Sequence, residues 1–146
     1  AQSQQRMGWV EPALGLHVRH GDKLKEANRI AVEDYLRVVV PLAREVGARS
    51  VFVSTDSPDV LQELEAHAPE GLLFIAEKDE IRGTDITNAN LMNNLRLNVT
   101  RYTLEAVRGV LLLSRTQALV ATFSSNFGRL AYELMLARDA EPEGRR

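Results

Sequence analysis

The chain contains no cysteine in 146 residues. Disulfides, thiolate nucleophiles and Cys-ligated metals are therefore excluded, while the redox compartment stays open. Long apolar runs are also absent. None approaches the roughly 18 to 20 residues that cross a bilayer, and residues 1–10 lack the basic-then-apolar order of a signal peptide. The expectation is a soluble chain, or the soluble part of something longer, without direct membrane contact. There is no Lys/Arg block either: 18 basic and 20 acidic residues leave a net charge of −2, which argues against a nucleic-acid partner. No G-x-G-x-x-G follows the first apolar run, and neither G-x-x-x-x-G-K-[ST] nor H-E-x-x-H occurs, so dinucleotide, P-loop and zincin chemistries lose their signatures. Asp-x-Asp is missing too, its nearest approach being Glu77-Lys78-Asp79, and His17, His20 and His67 are too scattered for a metal site. No metal is expected.

What is present is an alternation of strands and helices. Residues 13–19 read as a strand. Tyr35, Leu36, Val39, Val40, Ala43 and Val46 then recur at helical spacing up to Gly47, with Pro41 expected to kink or split the helix. A short β-rich run at 50–54, a turn at 55–58 and a helix through Val60, Leu61 and Leu64 follow. Residues 72–76 form a third strand. The polar stretch 77–94 has no clear period and is long enough for a functional or mobile loop. A helix over about 98–114, a fourth strand at 118–122 and a last helix with Phe127, Leu130, Ala131, Leu134 and Met135 on its apolar face complete the pattern. The expected organisation is an N-terminal extension over 1–12, one domain over 13–138 and a disordered tail over 139–146.

Four β-α repeats imply an α/β fold: a Rossmann-like parallel sheet of about four strands with helices on both faces and right-handed crossovers. The usual winding gives the strand order 3-2-1-4, so strands one and four flank the switch point where ligands bind. Their carboxyl ends carry His17-Val18-Arg19-His20-Gly21-Asp22-Lys23 and Thr122-Phe123-Ser124-Ser125-Asn126. Arg19 and Lys23 suit a diphosphate, the guanidinium gripping one phosphate bidentately and the ammonium acting as a point charge on the other. Ser124 or Ser125 caps the helix starting near Asn126, whose free amides attract anions, and Arg129 stands close enough to assist or to form a surface ion pair. Thr55 and Asp56 follow strand two on the same edge. Asp56 is suited to accept hydrogen bonds from a ribose or base, or to cap the next helix. His17, at the end of an apolar strand, reads as a hydrogen-bonded core histidine that also borders the site.

The three motifs H-V-R-H-G-D-K, S-T-D-S-P-D-V-L and T-F-S-S-N-F-G-R-L-A-Y-E-L-M, in this order, resemble the nucleotide-sugar half of the α-1,6-fucosyltransferases over about residues 14–136. The resemblance implies the donor-binding half of a GT-B glycosyltransferase that transfers fucose from GDP-fucose to a glycan hydroxyl, inverting and without metal or other cofactor. It implicates Arg19, Asp22, Lys23, Asp56, Ser124 and Ser125 in holding the guanosine diphosphate, with His17, His20, Thr55, Thr122 and Asn126 around them. Preorganised cations can stabilise the departing diphosphate, a role for Arg19 and Lys23. Glu26 is the nearest match to the family's proposed base, one residue short of the usual spacing.

This chain departs from the family's pattern in three places. His20 stands where a second basic residue is common, making one charge on the diphosphate pH-dependent. Gly109 stands where an acidic residue that contacts guanine is frequent. The resemblance implies a further domain that precedes this half in the family and helps bind the acceptor; the expectation is that this chain is a fragment or a reduced relative without it, with an acceptor-binding domain or a second chain as partner. The alternative is a noncatalytic nucleotide- or glycan-binding module with the same fold. Compartment is not fixed by the sequence: a Golgi lumen suits a eukaryotic source and the cytoplasm a bacterial one.

Overall fold

A computed structural model of the chain describes residues 8–20, 30–57, 59–77 and 99–140, the side chains of 99–102 apart. The elements in order are β1 (Ala13–Val18), α1 (Val32–Val46), β2 (Ser50–Thr55), α2 (Asp59–Ala66), β3 (Leu73–Ile75), α3 (Val99–Ser114), β4 (Ala118–Ala121) and α4 (Asn126–Ala140). All pairings are parallel and the order is β3-β2-β1-β4. This is the α/β winding that the alternation of elements requires.

Strand periodicity divides the core. Leu14, Leu16 and Val18 face one side with Val51 and Val53, under α1 and α2; Phe52 and Ile75 face the other, with Val110, Leu112 and Leu113 of α3 and Ala131 of α4. Burying each such large side chain contributes roughly 1.5–3 kcal/mol. Residues ahead of β1 are fastened to the sheet as well, since Ser50 Oγ donates to the Val10 carbonyl at 2.7 Å and the Trp9 ring lies 5.5 Å from that of Phe52.

The helix α1 is not split at Pro41: it runs as one element to Gly47, whose left-handed backbone (φ 69°) closes it. The proline leaves the Arg37 carbonyl without its helical donor. Both residues lie on the exposed side, where water can serve that carbonyl. Leu130 departs from the expected apolar face of α4; it is 48% exposed, while Ala131 and Met135 are buried.

Gly15 lets α3 approach the centre of the sheet. A Cβ there would stand 2.8 Å from Thr116 Oγ1 and 3.0 Å from Leu119 Cδ1, and the threonine hydroxyl cannot easily retreat because it donates to the Leu113 carbonyl at 2.7 Å. Gly15→Ala is therefore expected to destabilise the fold by about 1–3 kcal/mol. A lowered urea midpoint with an unchanged slope is the expected readout; an unshifted midpoint would mean that α3 yields without cost.

Candidate functional site

The pairing of β1 with both β2 and β4 brings three strand ends together. Val18 pairs with Thr55, and His17 with Ala121, so the residues just beyond them share one edge of the sheet. Arg19, His20, Thr55, Asp56 and the loop 122–125 are gathered there. Asp22, Lys23 and Glu26 belong to residues 21–29, outside the described residues, as do 78–94 of the expected loop and the tail 141–146.

Asp56 is the tie at this edge. Its Oδ1 accepts from the His20 amide at 2.8 Å, and its Oδ2 lies 3.9 Å from Arg19 Nε, with both side chains about one-third exposed. The aspartate thus stands beside the guanidinium at this edge. Beside it the Thr55 hydroxyl accepts from the Ser57 amide at 3.2 Å and shapes the turn that follows β2. The His20 ring is buried, and its Nε2 donates to the Ile30 carbonyl at 2.7 Å.

On the other side of the crevice, Ser125 opens α4 through its backbone. Its amide donates to the Thr122 carbonyl and its own carbonyl accepts from the Arg129 amide, each at 3.1 Å. The hydroxyl does not cap the helix: Ser125 Oγ is buried and has no hydrogen-bond partner among the described residues. Arg129 meets Asn126 through its side chain, engaging the Asn126 Oδ1. The first turn of α4 thus presents backbone amides and a spare hydroxyl where its dipole favours an anion.

His17 differs from the hydrogen-bonded core histidine expected. It is buried, its ring stacks on Phe127 with centroids 4.9 Å apart, and Nδ1 has no hydrogen-bond partner among the described residues. Burial lowers its pKa to about 4, with the Arg19 charge pushing the same way and Asp56 opposing. The imidazole is neutral at pH 7. Gly128 makes room for it, since a Cβ there would lie 3.4 Å from His17 Nδ1 and 2.9 Å from that of Ala121.

Three contributors escaped the sequence reading because they look like core. Tyr35 is buried and hydrogen-bonded to the Thr122 side chain; burial raises its pKa, the Thr122 contact lowers it and Asp56 raises it further. Phe127 carries the His17 ring, and Gly128 sets the spacing. A tyrosine in the first turn of a crossover helix was the available signal, because such helices begin near the carboxyl ends of the strands. Gly109 also acquires a physical setting: a Cβ there would stand 3.2 Å from Phe127 Cζ and 3.4 Å from Ser54 Oγ. A larger side chain at 109 would have to displace that phenyl ring.

A parallel 3-2-1-4 sheet with an arginine after β1 and an open anion-favouring turn after β4 is common to many nucleotide-binding proteins, and comparison narrows it. The family model for alpha-(1,6)-fucosyltransferase N- and catalytic domains matches residues 1–145. The chain belongs to that family. An alpha-(1,6)-fucosyltransferase of Drosophila melanogaster is 34% identical over 140 residues, covering 88% of this chain and 20% of the fly protein. One from Caenorhabditis elegans is 30% identical over 135 residues, covering 84% of this chain and 22% of its own length. This member of the family therefore spans about a fifth of those relatives. Its parallel sheet and the convergence of the β1, β2 and β4 ends agree with the resemblance read from the three motifs.

Proposed function

We propose that this α-(1,6)-fucosyltransferase-family domain binds GDP-fucose at the β1–β4 edge and serves an inverting, metal-independent transfer of fucose to a glycan hydroxyl as part of a larger enzyme. The observation that carries the reading is the pairing of unlike groups across one crevice. Arg19, beside Asp56, stands at the end of β1, while Ser125 Oγ and His17 Nδ1, both buried and without a hydrogen-bond partner among the described residues, sit against the first turn of α4. Buried polar atoms without protein partners are costly, and a bound polar ligand satisfies them.

In this reading Arg19 and the α4 amides hold the diphosphate, and the Ser125 hydroxyl donates to a phosphate oxygen. Lys23 neutralises charge as the glycosyl bond to phosphate breaks, Asp22 serves the same donor site, and Glu26 takes the proton from the acceptor hydroxyl. Neutral His17 offers Nδ1 to the nucleotide. Ser124, Thr122 and Asn126 complete the second wall. The glycan acceptor is positioned by groups of the larger enzyme or of a second chain.

Titration calorimetry of residues 1–146 with GDP, UDP and ADP in EDTA tests this. GDP binding without a divalent cation is expected, with negligible fucosyl transfer to glycans by this domain alone, because acceptor positioning supplies several kcal/mol of a rate acceleration. Absence of nucleotide binding, or an absolute need for Mn²⁺ or Mg²⁺, would overturn the proposal. Robust transfer by residues 1–146 would move the acceptor wall into this chain.

A further inference from the structure

The segment 21–29 lies outside the described residues, but the two residues that flank it are joined to each other. His20 Nε2 donates to the Ile30 carbonyl at 2.7 Å. The ring is 6% exposed and tilted against Tyr35, 6.3 Å between centroids, and the His20 amide is held by Asp56 Oδ1. Tyr35 is anchored in turn on Thr122. The end of β1, the approach to α1 and the end of β4 are thereby tied through one imidazole. Among the described residues, the charged or titratable groups around it include Asp56 at the end of β2, Tyr35 on α1 and its chain neighbour Arg19.

A carbonyl oxygen only accepts hydrogen bonds, so Nε2 carries a proton whether the ring is neutral or cationic. The contact survives titration. We propose that His20 is a positioning residue: its ring pins Ile30 to the end of β1 and so fixes the points at which the segment bearing Asp22, Lys23 and Glu26 leaves and rejoins the fold, instead of lending charge to a phosphate. The binding readout rests on the GDP reading above, whereas the fastening itself can be tested without nucleotide.

The experiment compares the wild type, His20→Ala and His20→Gln, the glutamine placing an amide N–H near the reach of Nε2. In His20→Ala, with the fold intact by circular dichroism, GDP affinity is expected to fall about tenfold for one lost buried hydrogen bond, and His20→Gln to recover to within about threefold. The ratio of wild-type to His20→Gln affinity is expected to stay constant from pH 5.5 to 8, because ionisation of GDP itself is common to both. Limited trypsinolysis reads the segment directly through Lys23, Lys25 and Arg29. Cleavage there is expected to be several-fold faster in His20→Ala and restored in His20→Gln.

A wild-type affinity that climbs above that of His20→Gln as pH falls from 8 to 5.5 would place the ring on the phosphate and overturn the proposal. So would a glutamine variant cleaved as fast as the alanine one, or an alanine variant cleaved no faster than wild type. If His20→Ala does not fold, the wild-type and His20→Gln comparison decides by the same two criteria. If the wild type binds no GDP, the donor-site reading falls by itself and the trypsin comparison still decides the fastening.

Discussion

Arg19→Ala is expected to weaken GDP binding by about 2–4 kcal/mol, roughly thirty-fold to nearly a thousand-fold in Kd. Two effects add. A charge-assisted contact to phosphate disappears, and Asp56, which lies 3.9 Å from the Arg19 guanidinium, is left facing the dianion without that cation beside it. A charge at the rim of a surface would cost far less, because water screens it. Arg19→Lys separates the effects: it keeps a positive charge but loses the planar fork, and an intermediate loss is expected. Calorimetry with circular dichroism as the folding control measures both variants. An Arg19→Ala protein that is folded and binds GDP as tightly as the wild type would remove the diphosphate from this edge.

Acidification is expected to cost stability through His17. Its folded pKa of about 4 lies below the ordinary 6.5, so between those values the unfolded chain binds a proton that the folded chain refuses. Stability from this group is fully present above about pH 6.5, declines as pH falls, and is exhausted near pH 4. Each pKa unit is worth about 1.4 kcal/mol, so the full loss is on the order of 3 kcal/mol. Carboxylates contribute acid sensitivity of their own, which makes the comparison with His17→Phe the decisive one. Between pH 7 and 4.5 the wild type should lose about 2–3 kcal/mol more than His17→Phe, by urea unfolding. Equal losses would show that the imidazole is protonated in place, with its Nδ1 satisfied.

Both experiments probe a site whose location was legible in the sequence and whose wiring was not. The strand order could be derived because alternating periods of two and 3.6, joined by right-handed crossovers, leave few windings, and that winding placed Arg19 and Ser124–Ser125 on one edge before any coordinates. Pairwise geometry is another matter. Asp56 has the composition of a ribose ligand or a helix cap, yet its carboxylate holds the His20 amide and stands beside Arg19, a relation between strand ends 36 and 37 positions apart that no local pattern encodes. Ser125 has the composition of a cap, yet its backbone alone starts α4. Tyr35 and Phe127 follow the apolar stripe of their helices, and only packing shows that one reaches Thr122 and the other carries an imidazole. Pro41 misled for a simpler reason, since the cost of a helical proline depends on whether water reaches the orphaned carbonyl.

The strand order also sets a schedule for synthesis. Among the described strands β1 is made before the others but lies inside the sheet, and the partner that covers its second edge begins at Ala118, so His17 waits for Ala121, 104 positions later (121 − 17). At ordinary ribosomal rates that interval is roughly 5 to 20 s, during which Ala-Leu-Gly-Leu-His-Val offers an apolar, half-paired backbone to any neighbouring nascent chain. Among the described strands, the one that leads to Arg19 is thus the one that waits longest for its second partner.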